Sequence, residues 1–478
     1  MLKSKINRYI AIGVLPLAVA ACKTPTLVNR QENRNTPASY IGGSADTVNA
    51  ADIKWRQYFT DPYLAALIDT ALANNQELNI TLQEIGIARN EVRARKGEYL
   101  PSVGIKGGAG LEKAGRYTTQ GALEHSLEVI PGKETPDPLG DMQVAAVATW
   151  EVDIWHKLRN AKKAAQHRYL ASQEGRNFVI TQLIAEVANA YYELLAYDNQ
   201  LAITNQNIEI QTNALEIVKL QKEAAKTTEL AVRKFEAEVL NTRSQQYNIK
   251  QQITETENRI NFLLGRYPQP IARNDQSLSS IVPAVVHAGM PAQLLERRPD
   301  VRRAEQELAA AKLDVKVARA QFYPSLGINA AIGYQALNPA YLLKTPESLL
   351  YSIAGEMMGP LVNRNGIKAG YYIANARQMQ AVYNYERTVL NAYLEVSNQV
   401  AKIANLEKSY ELKDKEVQAL IASISISNDL FKSARADYME VLLTQRDALE
   451  SRLELIETKK QQMNAMVNIY QALGGGWN

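Results

Sequence analysis

One stretch of this chain occurs twice, and that limits what the chain can fold into. Tyr99-Leu100-Pro101-Ser102-Val103-Gly104-Ile105 returns as Phe322-Tyr323-Pro324-Ser325-Leu326-Gly327-Ile328. The match runs on at a constant offset: Gln83-Glu84 pairs with Gln306-Glu307, Ala88 with Ala311, Val92 with Val315 and Gly110 with Gly333. This is an internal duplication, so the fold is one supersecondary unit used twice. In each copy a helical pattern runs into Pro-Ser and emerges as alternating, glycine-containing sequence. Proline cannot continue a helix, and the apolar period drops there from about 3.6 to about 2. Each half therefore hands a helix over to a strand.

The first residues read as a secretory signal over 1–21. Lys3, Lys5 and Arg8 form a basic region, and Ile10 to Ala21 an apolar run. That run, about twelve residues, is too short to span a bilayer as a helix. It ends in Val19-Ala20-Ala21-Cys22, which resembles a bacterial lipobox, where the cysteine carries diacylglycerol and an N-acyl chain and becomes the mature N-terminus. Cys22 is the one cysteine in the chain, which excludes an intrachain disulfide and any cysteine-built metal site. One acylated terminus implies a membrane anchor with a second attachment. Residues 22–60 then read as a polar, lipidated arm, with Trp55 and Tyr58-Phe59 as anchors.

A first repeat is expected over 61–265 and a second over 291–474, with an irregular linker at 266–290 holding Pro268, Pro270 and Pro283, and a tail at 475–478. Asp61-Pro62 has the form of a helix N-cap followed by proline at the first helical position. Strands are expected at about 102–114 and 142–153, and again at about 325–334 and 350–358. Val144, Ala146, Ala148, Trp150 and Val152 share one face of the second strand, opposite a mostly polar face. That is the alternation of a transmembrane barrel strand. The segment between the first two strands, about 116–140, reads as an exposed loop, and one helix is expected from about Pro291 to Gln321.

The longest features are two helical hairpins, at 156–265 and 366–473. The first arm of the first hairpin has roughly 70 residues, or about 105 Å at 1.5 Å per residue. Heptad spacing runs through Phe235, Val239, Thr242, Gln246, Ile249, Ile253, Thr256, Ile260 and Leu263 in its second arm. Polar residues on this seam weaken a simple dimeric coiled coil and fit an assembly with one wet face. Leu264-Gly265 and Leu473-Gly474 end the two hairpins alike.

Charge is nearly balanced, Lys+Arg 54 against Asp+Glu 50, which argues against nucleic-acid binding driven by bulk charge. Tyr outnumbers Phe 24 to 6, a bias that suits half-wet surfaces. The histidines show no metal-ligand spacing, and no nucleophile–base pair is visible, so neither a metal cofactor nor an enzyme is expected. Gly104 to Gly110 sits in a strand and lacks the spacing of a phosphate cradle.

Four strands per chain cannot close a barrel, and an open sheet edge cannot stand in lipid. If the strands are transmembrane, the chain must oligomerise: two copies would give a filled barrel and three a hollow one. Helices of this length must project away from the membrane.

Further motifs are Arg298-Pro299-Asp300-Val301 with Glu305, Trp150-Glu151-Val152-Asp153-Ile154-Trp155, and Tyr470-Gln471-Ala472-Leu473-Gly474-Gly475-Gly476-Trp477. With Cys22 and the Pro101-Ser102 and Pro324-Ser325 junctions, they make the sequence resemble the TolC-like outer-membrane efflux family, most closely its lipoprotein branch of the OprM or NodT type. The chain departs at His156, where the family has glycine, and at Gly359-Pro360-Leu361-Val362-Asn363. The resemblance implies a mainly α fold with a small transmembrane β part. It implies a homotrimer with a twelve-stranded barrel continuous with a twelve-helix periplasmic tunnel, lipid-anchored in the outer membrane of a Gram-negative bacterium. It implies a passive duct for small molecules such as drugs or metal ions, served by a periplasmic adaptor and an inner-membrane RND (resistance–nodulation–division) transporter. The turns at Glu223 to Val232 and Phe431 to Leu443 would form the periplasmic entrance. Glu440 resembles the acidic position lining the family's aperture, and Leu443 stands where a second acidic ring is usual. Glu229, Arg435 and Asp437 are candidates for salt bridges between tips and for adaptor docking. Two other readings remain: a channel for type I protein secretion, and a periplasmic coiled-coil lipoprotein that is no channel.

Overall fold

The computed structural model describes 24–28, 30–40, 48–128, 131–133, 135–274, 278–281, 287–362, 364–433 and 435–477. The signal segment and Cys22 lie outside these residues. The helices, in chain order, are α1 (Trp55–Tyr58), α2 (Pro62–Asn74), α3 (Gln76–Tyr99), α4 (Thr119–Ser126), α5 (Lys157–Glu223), α6 (Glu229–Leu263), α7 (Leu294–Arg297), α8 (Pro299–Ala320), α9 (Asn365–Lys432) and α10 (Tyr438–Ala472). The strands are β1 (Ser102–Glu112), β2 (Leu139–Val152), β3 (Ser325–Ala336) and β4 (Leu349–Met358). The duplication is visible in the lengths: α5 and α9 have 67 and 68 residues, and α6 and α10 have 35 each.

The chain divides into two units, with α3, α5, α8 and α9 contributing residues to both. The first comprises 86–170 and 306–382 with the start of the arm. Its centre is one antiparallel sheet in the order β1-β2-β3-β4. The register puts Ile105, Ala146, Ile332 and Tyr351 in one row, and Val103, Ala148, Ala330 and Ile353 in the next. One face is therefore apolar across all four strands, with Ile105, Ile332, Tyr351 and Ile353 at 86%, 60%, 76% and 80% exposure. The other face carries Ser102, Thr149 and Asn329 in one row and Glu151 opposite Gly327 and Glu356.

Both helix-to-strand junctions are tied down by indoles. Trp150 Nε1 donates to Tyr99 O (3.2 Å), and Trp155 Nε1 donates to Pro324 O (2.7 Å) while stacking on Tyr323. Asp153 caps α5 by accepting from the backbone N–H groups of Leu158 (3.0 Å) and Arg159 (2.8 Å). His156 has φ +60°, the left-handed region that glycine enters without strain. The segment expected to be plain loop contains α4, capped by Thr118, whose hydroxyl accepts from Gly121 N–H.

The second unit comprises 32–85, 171–305 and 383–478. Its core gathers Phe59, Leu64, Ile68, Ile184, Tyr191, Leu194, Ile260, Leu264 and Val467, all buried. Tyr191 Oη donates to Asp61 Oδ2 (2.8 Å), and Asp61 Oδ1 accepts from Tyr63 N–H at the start of α2. In the linker, Arg273 binds Asp198 of α5 and Glu257 of α6. The arm lies on this unit through Arg34–Glu305 (2.9 Å), Asn33 N–H to Glu386 (3.1 Å) and Tyr40 stacked on Tyr393.

The helix expected from Pro291 to Gln321 is broken into a 3-10 turn (Pro291–Gln293), α7 and α8. Arg298 is extended (φ −78°, ψ +119°) because a residue before proline is pushed out of the helical region. The break is the counterpart of Asn75 (φ −60°, ψ +128°) between α2 and α3. Both breaks receive a helix end. Asn75 Nδ2 donates to Leu263 O at the end of α6 (3.0 Å), and Arg298 Nη1 donates to Ala472 O at the end of α10 (2.9 Å). Each of those helices closes with a Schellman motif around a glycine of positive φ, Gly265 (+67°) or Gly474 (+88°). A Cβ at Gly265 would stand 2.5 Å from Asn74 O, and one at Gly474 2.7 Å from Arg297 O.

Candidate functional site

The hairpin tips are built alike. After α5 the chain turns through Ala225 (φ +55°), with Lys226 N–H on Gln221 O (2.8 Å). After α9, Arg435 N–H on Leu430 O (2.9 Å) makes the same closure. Thr228 caps α6, its hydroxyl accepting from Ala231 N–H (3.3 Å), whereas Asp437 at the N-cap of α10 makes no side-chain cap bond. The tips pack on one another through a small apolar cluster: Leu215, Val218, Val232 and Phe235 with Val441 and Leu442. Burying Val441 and Leu442 turns the opposite face of α10 outward, and there Glu440 and Leu443 lie exposed, three residues apart on one stripe.

Glu229 forms ion pairs with Lys222 and with Arg233 (2.9 Å), both within its own hairpin. The hydrogen bond and charge of Lys222, then those of Arg233, hold its carboxyl below the usual range. Within the chain, Arg435, Asp437 and Glu440 are exposed and form no ion pair with any described residue. The expected set of tip charges is thus present, but Glu229 is taken by Lys222 and Arg233 and not by Arg435. The pairing with Arg233 was readable as an i, i+4 spacing; Lys222 lies across the turn and was not.

Sequence reasoning also missed a polar layer one turn behind the apolar cluster. Gln211 (0% exposed), Gln445 (2%) and Asn207 (5%) are buried on α5 and α10. Gln211 Oε1 and Nε2, Gln445 Oε1 and Asn207 Nδ2 have no hydrogen-bond partner among the described residues. Each such group weakens the native packing by about 1–3 kcal/mol. The tips are thus fastened by a few apolar side chains backed by a buried polar seam. No group of three or more His, Cys, Asp or Glu among the described residues is placed to hold a metal ion. No described helix is long and apolar enough to cross a membrane.

An apolar-faced sheet joined to very long helical hairpins is the architecture of outer-membrane efflux ducts. The family model described as outer membrane efflux protein matches residues 67–266 and 290–475. The chain belongs to the outer membrane efflux protein family. It is an efflux-channel component, and its place is the outer membrane. It is 26% identical over 473 residues to the pyoverdine export outer membrane protein OpmQ of Pseudomonas putida, covering 99% of this chain and 98% of that protein. It is 27% identical to the probable outer membrane lipoprotein SilC of Salmonella typhimurium, covering 98% and 97%. Among solved structures, the open state of the Neisseria gonorrhoeae MtrE outer membrane channel shares its fold, with a TM-score of 0.82, 22% identity, and 95% and 99% of the two chains covered.

Proposed function

We propose that three copies of this chain form one passive duct. Its twelve-stranded barrel stands in the outer membrane and opens into a tunnel of twelve helical segments in the periplasm. The observation that carries this reading is the sheet: an apolar face runs across all four strands, and β1 and β4 each end it with an edge. In lipid every unpaired backbone group costs several kcal/mol, so edges must pair. Pairing β4 of one copy with β1 of the next removes them, and three four-stranded sheets make a barrel wide enough to be hollow.

In this reading Cys22 is lipidated and begins the arm 22–60, whose residues Asn33, Arg34 and Tyr40 hold it to the second unit. The repeats occupy 61–265 and 291–474, joined by 266–290. Glu440 and Leu443 line the periplasmic aperture; three copies set three carboxylates around it, which favours cations. Arg435 and Asp437 meet charges of neighbouring tips or of a periplasmic adaptor. The energy comes from an inner-membrane RND transporter, which also selects the cargo, small molecules such as drugs or metal ions. Exposed ion pairs contribute about 0–1 kcal/mol each, so an adaptor can open the tips at modest cost.

Light scattering of the purified protein in detergent should give the mass of three chains, and mass spectrometry of the N-terminal peptide should find the acylated cysteine, lost in Cys22→Ser. A monomer would refute the duct. An unmodified Cys22 would remove the anchor and leave the duct intact.

A further inference from the structure

The four helix ends that meet the sheet carry the same kind of charge, and all lie in the first unit. Arg93 and Lys96 stand near the end of α3, Lys316 and Arg319 near the end of α8, Arg159 and Lys163 at the start of α5, and Arg364 and Lys368 at the start of α9. The members of each pair are one helical turn apart, on one stripe. Each pair lies within two turns, about 11 Å, of its helix-to-strand junction. The duplication keeps the pattern. At the offset that pairs Tyr99 with Phe322, Arg93 and Lys96 fall on Lys316 and Arg319. At the offset that pairs Glu186-Val187 with Glu395-Val396, Arg159 falls on Lys368.

These charges have little to answer them within the chain. Arg93, Lys96, Lys163, Lys316, Arg319 and Lys368 are exposed and form no ion pair with a described residue. The nearby acids are engaged elsewhere, Glu91 and Glu98 by Arg95 and Asp314 by Arg168. Arg364 lies over the Phe322 ring (5.0 Å), and its Nε and Nη2 are buried with no hydrogen-bond partner among the described residues. Like charges one turn apart repel. The dipole at a helix start favours acids, yet the first turns of α5 and α9 hold none. An anionic surface outside the chain offsets both penalties.

Two landmarks identify that surface. Trp150 shares the apolar face of the sheet with Ile328, and its indole reaches Tyr99 O. Arg159 sits over the Tyr99 ring (5.2 Å) and donates to Tyr99 Oη (3.0 Å). Aromatic residues at the rim of an apolar sheet face form the girdle at a membrane–water interface. Lys157, by contrast, is paired with Glu151 of the polar face (2.5 Å). The second landmark is the arm. Leu27 packs on Phe322 and Tyr371 together with Val315 and Ile367, the chain neighbours of Lys316 and Lys368. Cys22 is five residues earlier, a reach of at most about 18 Å, so an acyl chain there enters the membrane close to these lysines. Building on the barrel and anchor proposed above, we propose that the four pairs form a basic collar that binds the phosphate groups of anionic phospholipids in the periplasm-facing leaflet.

The test places the full-length protein in phosphatidylcholine vesicles holding a trace of pyrene-acyl phosphatidylglycerol or of pyrene-acyl phosphatidylcholine. Energy transfer from the tryptophans reports which lipid lines the sheet. Phosphatidylglycerol should give at least about twofold more transfer than phosphatidylcholine. The two should become equal in about 0.5 M salt, and also when Lys96→Gln, Lys163→Gln, Lys316→Gln and Lys368→Gln are combined. Combining Lys226→Gln, Lys234→Gln, Lys402→Gln and Lys408→Gln, the same loss of charge on exposed lysines of the second unit, should leave the preference in place. Equal transfer in the wild type, or a preference unchanged in the collar variant, overturns the collar and spares the duct. No transfer to either lipid overturns the membrane barrel on which the collar rests.

Discussion

Arg298 is a buried charge of the second unit, 5% exposed. Its guanidinium grips Asp300 through Nε (2.9 Å) and Nη2 (2.7 Å), Glu395 through Nη1 (2.6 Å), and Ala472 O through Nη1 (2.9 Å). Burial works against the charge, but Asp300 and Glu395 outweigh it and hold the group charged well above its ordinary range. Arg298→Met keeps most of the volume and removes every one of these bonds. Glu395 is half exposed, so its loss costs at most about 1 kcal/mol. The Asp300 pair is more enclosed, and a hydrogen bond to a charged group contributes about 1.5–3 kcal/mol. Leaving Ala472 O without a donor adds about 1–3 kcal/mol. The terms overlap, and removing one member of a buried pair costs about 3–5 kcal/mol in total. The assay is thermal loss of helical circular dichroism in detergent. Arg298→Met should melt well below the wild type, Arg298→Lys in between because it keeps charge but not the fork, and Arg95→Met, a half-exposed control, close to wild type. If Arg298→Met melted with Arg95→Met, the break between α7 and α8 would not be held as described.

Other consequences follow from the same contacts. Gly265→Ala forces a Cβ onto Asn74 O at a positive φ and should cost about 2–4 kcal/mol, read as a lower melting temperature. Phe235→Ala removes the central, 1% exposed ring of the tip cluster and should loosen the tips by about 3–5 kcal/mol, seen as faster amide exchange at 215–232 with the sheet unaffected. Glu229 has a lowered folded-state pKa, so its contribution is present above the ordinary glutamate range and lost as pH falls through the folded value. Amide exchange in the α5–α6 turn, corrected for intrinsic rates, should therefore rise as pH falls below the ordinary glutamate range, and Glu229→Gln should abolish that dependence.

What the sequence revealed followed the strength of the local signal. The Pro-Ser junctions, the glycine closures and the capped start of α2 are set by backbone chemistry within a few residues, and each was readable. The four-strand apolar face was only half readable. β1 shows little side-chain contrast until the register places Val103 and Ile105 beside Ala148 and Ala146. The break at Arg298 was missed although proline announces it, because the helical periodicity on both sides hid the boundary. At the tips, the place of Glu440 just after the second hairpin turn was legible. The buried amides of Asn207, Gln211 and Gln445 were not, because a polar residue in a heptad reads equally well as wet or buried until the facing helix is placed.

The central claim is that this chain forms a duct whose periplasmic mouth is lined by Glu440. Single-channel conductance of the purified protein in a planar bilayer, wild type against Glu440→Ala, tests it most directly. The wild type should show small, cation-preferring openings, and the mutant should conduct with weaker cation preference. Unchanged selectivity in the mutant would take Glu440 out of the mouth. A wild-type protein that forms no conducting openings, even with the tips loosened by Phe235→Ala, would contradict the duct itself.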